Sequence, residues 1–404
     1  MSHLIDVSLL KTNRNYALLY GGQFISFIGT MLSGVTLPWQ IYKLTHSSFM
    51  VGLLSLVQLL PLLFTALLGG VFADRYNRRN LVILSECILM TGCAALIFNA
   101  NLAHPNLVII YLVSSIMSAI TGLHRPAFES ITQQLINPKD YKSVGALASF
   151  KFSFCMITGP AIGGLLIAQF GVTATYTVDL LTFLISLIVL SLMSPLKQPT
   201  IEQHLSVIKA LREGLKFAVN RQELMGSYLV DFLAMILATS FALFPAIAKS
   251  FGGAKTFGLI YAAPAVGSLL ISFFSGWASR VKQDGKAIAI SATCWGLSMI
   301  GFGLSTNLFT ALLFLAMSGA FDAISGIFRS TLWNHIIPHD YRGRLAGIEM
   351  ISYMGGPMLG NARAGVIASS FGVTTAVISG GMLCVLAVTT CCIFMPKFWN
   401  YKNQ

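Results

Sequence analysis

Apolar residues run along this chain in long blocks, separated by short breaks that hold charges or Gly, Pro and Asn. Twelve blocks can be counted, at about 16–42, 50–73, 80–100, 106–125, 143–169, 172–194, 223–248, 256–279, 286–305, 308–329, 345–369 and 372–395. Each approaches or exceeds the roughly 20 residues a helix needs to cross about 30 Å of hydrocarbon. None shows the alternating pattern of a barrel strand about 10 residues long. In hydrocarbon, backbone N–H and C=O groups must be paired within the protein, so helices are the remaining solution. The pattern predicts an all-α membrane protein with twelve transmembrane helices. Composition agrees: 55% of the 404 residues are hydrophobic, 10% are charged, and mean hydropathy is +0.75. A soluble domain carries roughly 25% charged residues, so a cytosolic enzyme is excluded. Residues 1–14 carry charges and no apolar signal-peptide segment, so the first block is expected to be a retained helix.

Charge placement sets the expected orientation. The formal charge of +12 could suggest nucleic acid, but the basic residues collect at alternate ends of the blocks. With a cytoplasmic N-terminus, 21 of the 26 Lys and Arg residues fall on the cytoplasmic side, against Lys43, Lys249 and Lys255 on the other. That is the positive-inside pattern. It puts both termini in the cytoplasm and argues against a nucleic-acid partner. The seven cysteines lie inside apolar blocks without zinc-type spacing, and no histidine cluster suggests a metal site. The longest polar connection, 195–222, separates six blocks from six. Leu205, Ile208, Leu211, Leu215 and Ala218 recur there at near-helical spacing, which predicts an amphipathic linker helix on the membrane surface. The domain reading is an N-terminal six-helix half over 1–194, the linker over 195–222, and a C-terminal six-helix half over 223–404.

An internal repeat of about 200 residues supports two halves. Phe128, Ser130, Ile136, Pro138, Asp140 and Tyr141 recur as Phe328, Ser330, Ile336, Pro338, Asp340 and Tyr341. Gly159-Pro160 and Phe170-Gly171-Val172-Thr173 recur as Gly356-Pro357 and Phe371-Gly372-Val373-Thr374. The later copy carries Asn361-Ala362-Arg363-Ala364 in addition, about one helical turn. Both copies follow an even-numbered block, so the halves are expected to be parallel in the membrane.

The first cytoplasmic hairpin reads Gly69-Gly70-Val71-Phe72-Ala73-Asp74-Arg75-Tyr76-Asn77-Arg78-Arg79. It resembles the signature loop of the major facilitator superfamily, G-x-x-x-D-R-x-x-R-R. The resemblance implies two parallel six-helix halves rocking about a mid-membrane site. It also implies a conformational latch made of Gly70, Asp74, Arg75, Arg78 and Arg79, with Arg125 and Glu129 after the fourth block; topology-setting charge is the alternative. Shorter stretches are similar to the siderophore-exporting, enterobactin exporter branch of the drug:proton antiporters. These are Ser8-Leu9-Leu10-Lys11-Thr12, Leu44-Thr45-His46-Ser47-Ser48, Gly258-Leu259-Ile260-Tyr261-Ala262-Ala263 and Gly343-Arg344. That resemblance implies proton-driven export of a siderophore or related amphiphile.

Ionisable residues inside spans are costly and therefore functional candidates. Asp322 shares a helix face with Ser318, Ser325 and Arg329, about 10 Å from the last. Asp231 and Lys151 lie about 12–13 Å into their blocks. Asp322 and Asp231 are expected to be proton-coupling acids, with Lys151 as alternate counter-ion or anion ligand; a static salt bridge is the competing reading. Arg363 either attracts an acidic substrate or closes the outer gate. Gln23, on a face with Phe27, Thr30 and Gly34, and Tyr353 are further substrate candidates, or packing residues. Glu86 and Asp179 lie in the third and sixth blocks, which the resemblance puts on the outside of the bundle, and are expected to serve packing.

No catalytic constellation, P-loop, dinucleotide fingerprint or zinc helix is present, so no cofactor is expected and energy must come from a gradient. The expected function is secondary active transport: proton-coupled efflux of a siderophore or amphiphilic drug across a bacterial inner membrane, by a protein working as a monomer. Proton-coupled import, and a non-transporting scaffold or sensor, are the alternatives.

Overall fold

A computed structural model describes residues 8–137, 140–194, 207–338, 341, 345, 349 and 351–402. The described residues are helical and include no strand. In chain order the helices are α1 (Ser8–Thr12), α2 (Arg14–Thr45), α3 (Ser48–Arg75), α4 (Arg78–Ala100), α5 (Leu107–Leu135), α6 (Tyr141–Ser191), α7 (Val207–Val219) and α8 (Gln222–Ala238). They continue with α9 (Phe244–Phe251), α10 (Ala254–Phe273), α11 (Asp284–Gly303), α12 (Leu308–Ile336), α13 (Gly356–Phe371), α14 (Val373–Phe394) and α15 (Pro396–Trp399). Among the described residues, ten stretches are long and apolar enough to cross a membrane.

Local chemistry sets several boundaries. Asn77, Asn106 and Asn307 each stand just before a long helix and accept a backbone N–H from its first turn, closing α4, α5 and α12 at their N-termini. The 51 residues of α6 would span about 76 Å as one straight helix, more than twice the hydrocarbon thickness. The chain turns inside α6 at Gly171, with φ 80° and ψ 177°. Gly372 repeats that conformation, φ 88° and ψ 159°, between α13 and α14. The recurring Phe-Gly-Val-Thr is therefore a hairpin whose backbone only glycine adopts readily.

Three expected spans are shaped differently. The block expected over 223–248 breaks after Ala238, passes through a 3-10 turn at Phe241–Leu243 and resumes as α9. Pro245 has no N–H to continue a helix and sits in the first turn of α9. The Ala242 N–H freed by the break donates to Asn361 Oδ1 at 3.0 Å. The extra turn of the second repeat thus has a structural task. The block expected over 256–279 ends as a helix at Phe273 and continues as a 3-10 segment, Ser275–Arg280. Before α13 lies a π-helical turn, Ile351–Gly355. Gly343-Arg344 and residues 195–206 of the expected linker lie outside the described residues. The described part of that linker is α7.

By contacts the chain divides into two compact units, Met1–Leu44 with Val57–Gln203, and Thr45–Leu56 with His204–Gln404. Equivalent glycines close equivalent helix pairs in each. In the first unit a Cβ on Gly163 would meet Val35 Cγ2 of α2 at 2.7 Å, and Gly159 lies against Met31. In the second, a Cβ on Gly356 would meet Met235 Cβ of α8 at 2.8 Å, and Gly360 lies against Thr239. Small residues at such points let helices pack backbone to backbone in the absence of a hydrophobic drive.

Candidate functional site

The second unit builds a buried ion cluster across α8 and α12. Asp231 and Arg329 form a close ion pair, and their side chains are only 8% and 12% exposed. Arg329 Nη2 also stands 3.6 Å from Asp322 Oδ1, whose side chain is 43% exposed. Ser352, in the π turn, donates its hydroxyl to Asp231 Oδ2 at 3.2 Å, while Glu349 and Tyr353 act electrostatically on the guanidinium. Below the pair, Trp333 Nε1 donates to Ser227 Oγ at 3.2 Å and its ring packs on Tyr228. The cluster joins the two acids anticipated from sequence, but their cation is Arg329. The span expected over 308–329 ended on that residue. The helix runs seven residues further, to Ile336, so Arg329 sits within α12 rather than at a loop.

Lys151, expected as counter-ion, has a different setting in the first unit. Its Nζ lies 4.7 Å from the centroid of Phe128 and 6.0 Å from that of Phe27, a cation–π arrangement. Phe24, Phe150 and Phe154 pack together beside it, and Phe27 stacks on Phe152. Phe150, Phe152 and Phe154 are more than a third exposed. An ammonium among open aromatic faces can hold an anionic, ring-bearing molecule.

Gln23 turns away from that stripe. Its Nε2 donates to Glu86 Oε1 of α4, and Ser26 Oγ donates to the same oxygen at 3.5 Å. His124 Nε2 of α5 is 3.8 Å from it. Two turns of α2 beyond Ser26, Ser33 donates to Asp179 Oδ2, Cys93 Sγ donates to the same oxygen at 3.3 Å, and Thr182 to Oδ1 at 3.4 Å. Gly29 leaves the room: a Cβ there would overlap Asp179 and Thr182. Glu86 and Asp179 are both fully buried. Their partners on α2 tie the third and sixth blocks to the first, which no linear pattern indicated.

The described members of the expected latch act on helix ends. Arg79 donates through Nε and Nη2 to Leu190 O at 3.2 and 3.1 Å, and through Nη2 to Ser191 O at 2.8 Å. It thereby neutralises the negative end of α6. Arg125 pairs with Glu129 on its own helix, at 3.1 Å and exposed. Arg78 is half-buried beside them in sequence. Gly70, Asp74 and Arg75 end α3, and their side chains lie outside the described residues. Arg363 is buried through all three guanidinium nitrogens without a hydrogen bond. It lies against Gly380, where a Cβ would come within 2.6 Å of Nη2. Tyr353 is half exposed.

A helical bundle with paired charges inside its spans, and glycine-closed helix pairs repeated in each unit, defines a multi-pass membrane transporter of the major facilitator type. The sequence profile of the family described as transmembrane secretion effector matches residues 10–403, and the chain belongs to that family. It is 28% identical over 366 residues to the enterobactin exporter EntS of Citrobacter koseri, covering 90% of this chain and 88% of that protein. Identity to the EntS of Shigella boydii serotype 18 is 29% over the same coverage. Among solved structures, the nucleoside transporter NupG superposes with a TM-score of 0.70 at 13% identity, covering 95% of this chain and 97% of that one. A bacterial homologue of the iron transporter ferroportin, in its inward-facing state, superposes with a TM-score of 0.68 at 15% identity, covering 95% and 98%. These structural likenesses establish the fold.

Proposed function

We propose that the protein exports an aromatic siderophore, or a closely related anionic amphiphile, across the bacterial inner membrane in exchange for protons. The observation that carries this reading is the likeness, along 90% of the chain, to proteins named enterobactin exporters. The site chemistry supports it. Lys151 offers a cation among exposed phenylalanines, which suits rings bearing negative charge. In the second unit, carboxylates outnumber the one arginine they share. A low-dielectric site with an excess carboxylate accepts a proton rather than hold an unpaired charge. Asp322, the more open and more weakly held of the two, is the one that exchanges its proton. Arg329 keeps Asp231 charged and fixed, and Lys151 takes the substrate. Arg363 draws the anion toward the outer face, and half-exposed Tyr353 is a further substrate contact of the second unit; Gln23, held on Glu86, takes the packing role.

On this reading two six-helix halves, 1–194 and 223–404, rock about the linker 195–222, with both termini cytoplasmic and a single chain sufficient. The loop with Gly70, Asp74, Arg75, Arg78 and Arg79, together with Arg125 and Glu129, latches the cytoplasmic side. The test is chelator secretion by a deletion strain grown without iron. Loss of extracellular chelator with retention inside the cell, restored by the wild type but not by Asp322→Asn, is the expected result. Unchanged secretion would remove the export reading. Inward uphill flux of labelled chelator would replace it with uptake.

A further inference from the structure

The first unit holds a buried acid that the coupling reading above leaves without a role. Glu86 is fully buried on α4, within a span, and receives Gln23 and Ser26 of α2 on its Oε1 alone. Its Oε2 has no hydrogen-bond partner, and neither has His124 Nε2, which stands 3.8 Å from Oε1. Two proton-binding atoms thus lie within one buried pocket, both unsatisfied. A merely structural carboxylate would be expected to have both oxygens satisfied, as Asp179 of α6 does beside Cys93, two turns along α4 from Glu86: Ser33 and Cys93 hold one oxygen and Thr182 the other.

We propose that Glu86 and His124 form a second proton-binding site, which takes up and releases a proton during the transport cycle. With one proton in the pair, the charges are carboxylate and imidazolium, and they neutralise each other across 3.8 Å. A second proton goes to Glu86 Oε2 and leaves the pocket with the imidazolium charge; loss of the first leaves the carboxylate held only by the neutral Gln23 and Ser26. Other described ionisable groups on the helices that meet here have partners of their own. On α2, the Tyr20 hydroxyl is committed to Leu147 O at 2.9 Å. On α4, Arg79 caps α6 and Cys93 serves Asp179. On α5, Arg125 is paired with Glu129. On α6, Tyr176 donates to Gln40 at 2.7 Å, and Asp179 has its three donors. Lys151 is the cation that comes nearest: its Nζ sits over Phe128, whose ring stacks on His124 at 6.2 Å.

This inference deepens the proton-coupled reading, and its test uses no substrate, so it stands or falls apart from the cargo. The full chain in lipid is titrated by infrared difference spectroscopy, following the C=O stretch of protonated carboxyl groups. A band that titrates in the wild type, disappears in Glu86→Gln and persists in Asp322→Asn is expected. In His124→Gln, where Glu86 itself is intact, the midpoint of that band should move by about 1 pH unit or more toward higher pH, because an opposite charge within about 4–6 Å has been lost. A Glu86→Gln spectrum identical to the wild type would overturn the proposal. So would an unmoved band in His124→Gln, even where Glu86→Gln fails to fold.

Discussion

Removing Arg329 should destabilise the protein far more than removing the acid that makes it look like a coupling site. Asp231 and Arg329 are 8% and 12% exposed and in direct contact, so Arg329→Gln strands a buried carboxylate with Ser352 as its remaining donor. Breaking a buried pair from one side costs about 3–5 kcal/mol, most of it the desolvation of the charge left behind. Asp231→Asn should cost a similar amount, since it removes the close partner of a buried guanidinium and leaves the 3.6 Å contact to Asp322 with the electrostatic influence of Glu349 and Tyr353. The double variant leaves no stranded charge, and should be less destabilised than the two single costs summed by about 2 kcal/mol or more. Asp322→Asn removes a longer contact to a carboxylate that is 43% exposed. Its cost should be about 1 kcal/mol or less, leaving a folded protein whose transport can be measured. Reversible unfolding by a denaturing detergent in mixed micelles, followed by tryptophan fluorescence, gives these differences. Trp333, against Tyr228 at the same helix pair, reports locally. Single variants within about 0.5 kcal/mol of wild type, with strictly additive effects, would show that the pair is not a buried ion pair at all.

Two further outcomes follow from the glycines. Gly171→Ala and Gly372→Ala should each cost about 1–3 kcal/mol in the same assay, because both residues have positive φ with extended ψ. A Cβ at either would meet nothing within 4 Å, so equal stability to wild type would mean that the turns relax. Gly319→Leu should fail to yield folded protein, since even a Cβ there overlaps the Pro264 carbonyl of α10. Monodisperse elution of that variant from size exclusion at wild-type yield would contradict the close α10–α12 packing.

Much of the fold is legible in the sequence because the solvent is. A chain with 10% charged residues and repeated apolar blocks has hydrocarbon around it, and hydrocarbon admits helices. The repeat of Phe-Gly-Val-Thr marks two hairpins before any coordinate is known, because the backbone conformation at Gly171 and Gly372 belongs to glycine. Asn also recurs in the breaks between apolar blocks, and the structure finds Asn77, Asn106 and Asn307 at helix starts. Asp231, Asp322 and Lys151 stand out because ionisable groups are rare inside apolar blocks.

What joins to what was decided by packing. Hydropathy ended the tenth block at Arg329, so that residue read as the end of its span; the continuation of α12 to Ile336 carries it inside, where its reach selects Asp231. Gln23, Glu86 and His124 come from three helices, and Gln23 and Glu86 are 63 residues apart. Their meeting depends on how each helix is rotated about its axis. In membrane helices this rotation follows from small residues and polar partners on neighbouring helices, not from a polar face that the sequence alone displays. The sequence thus determined the medium, the helices and the rarity of each buried charge. The tertiary structure decided the partner of each charge, because a charge in hydrocarbon takes its meaning from whatever lies within a few ångströms of it.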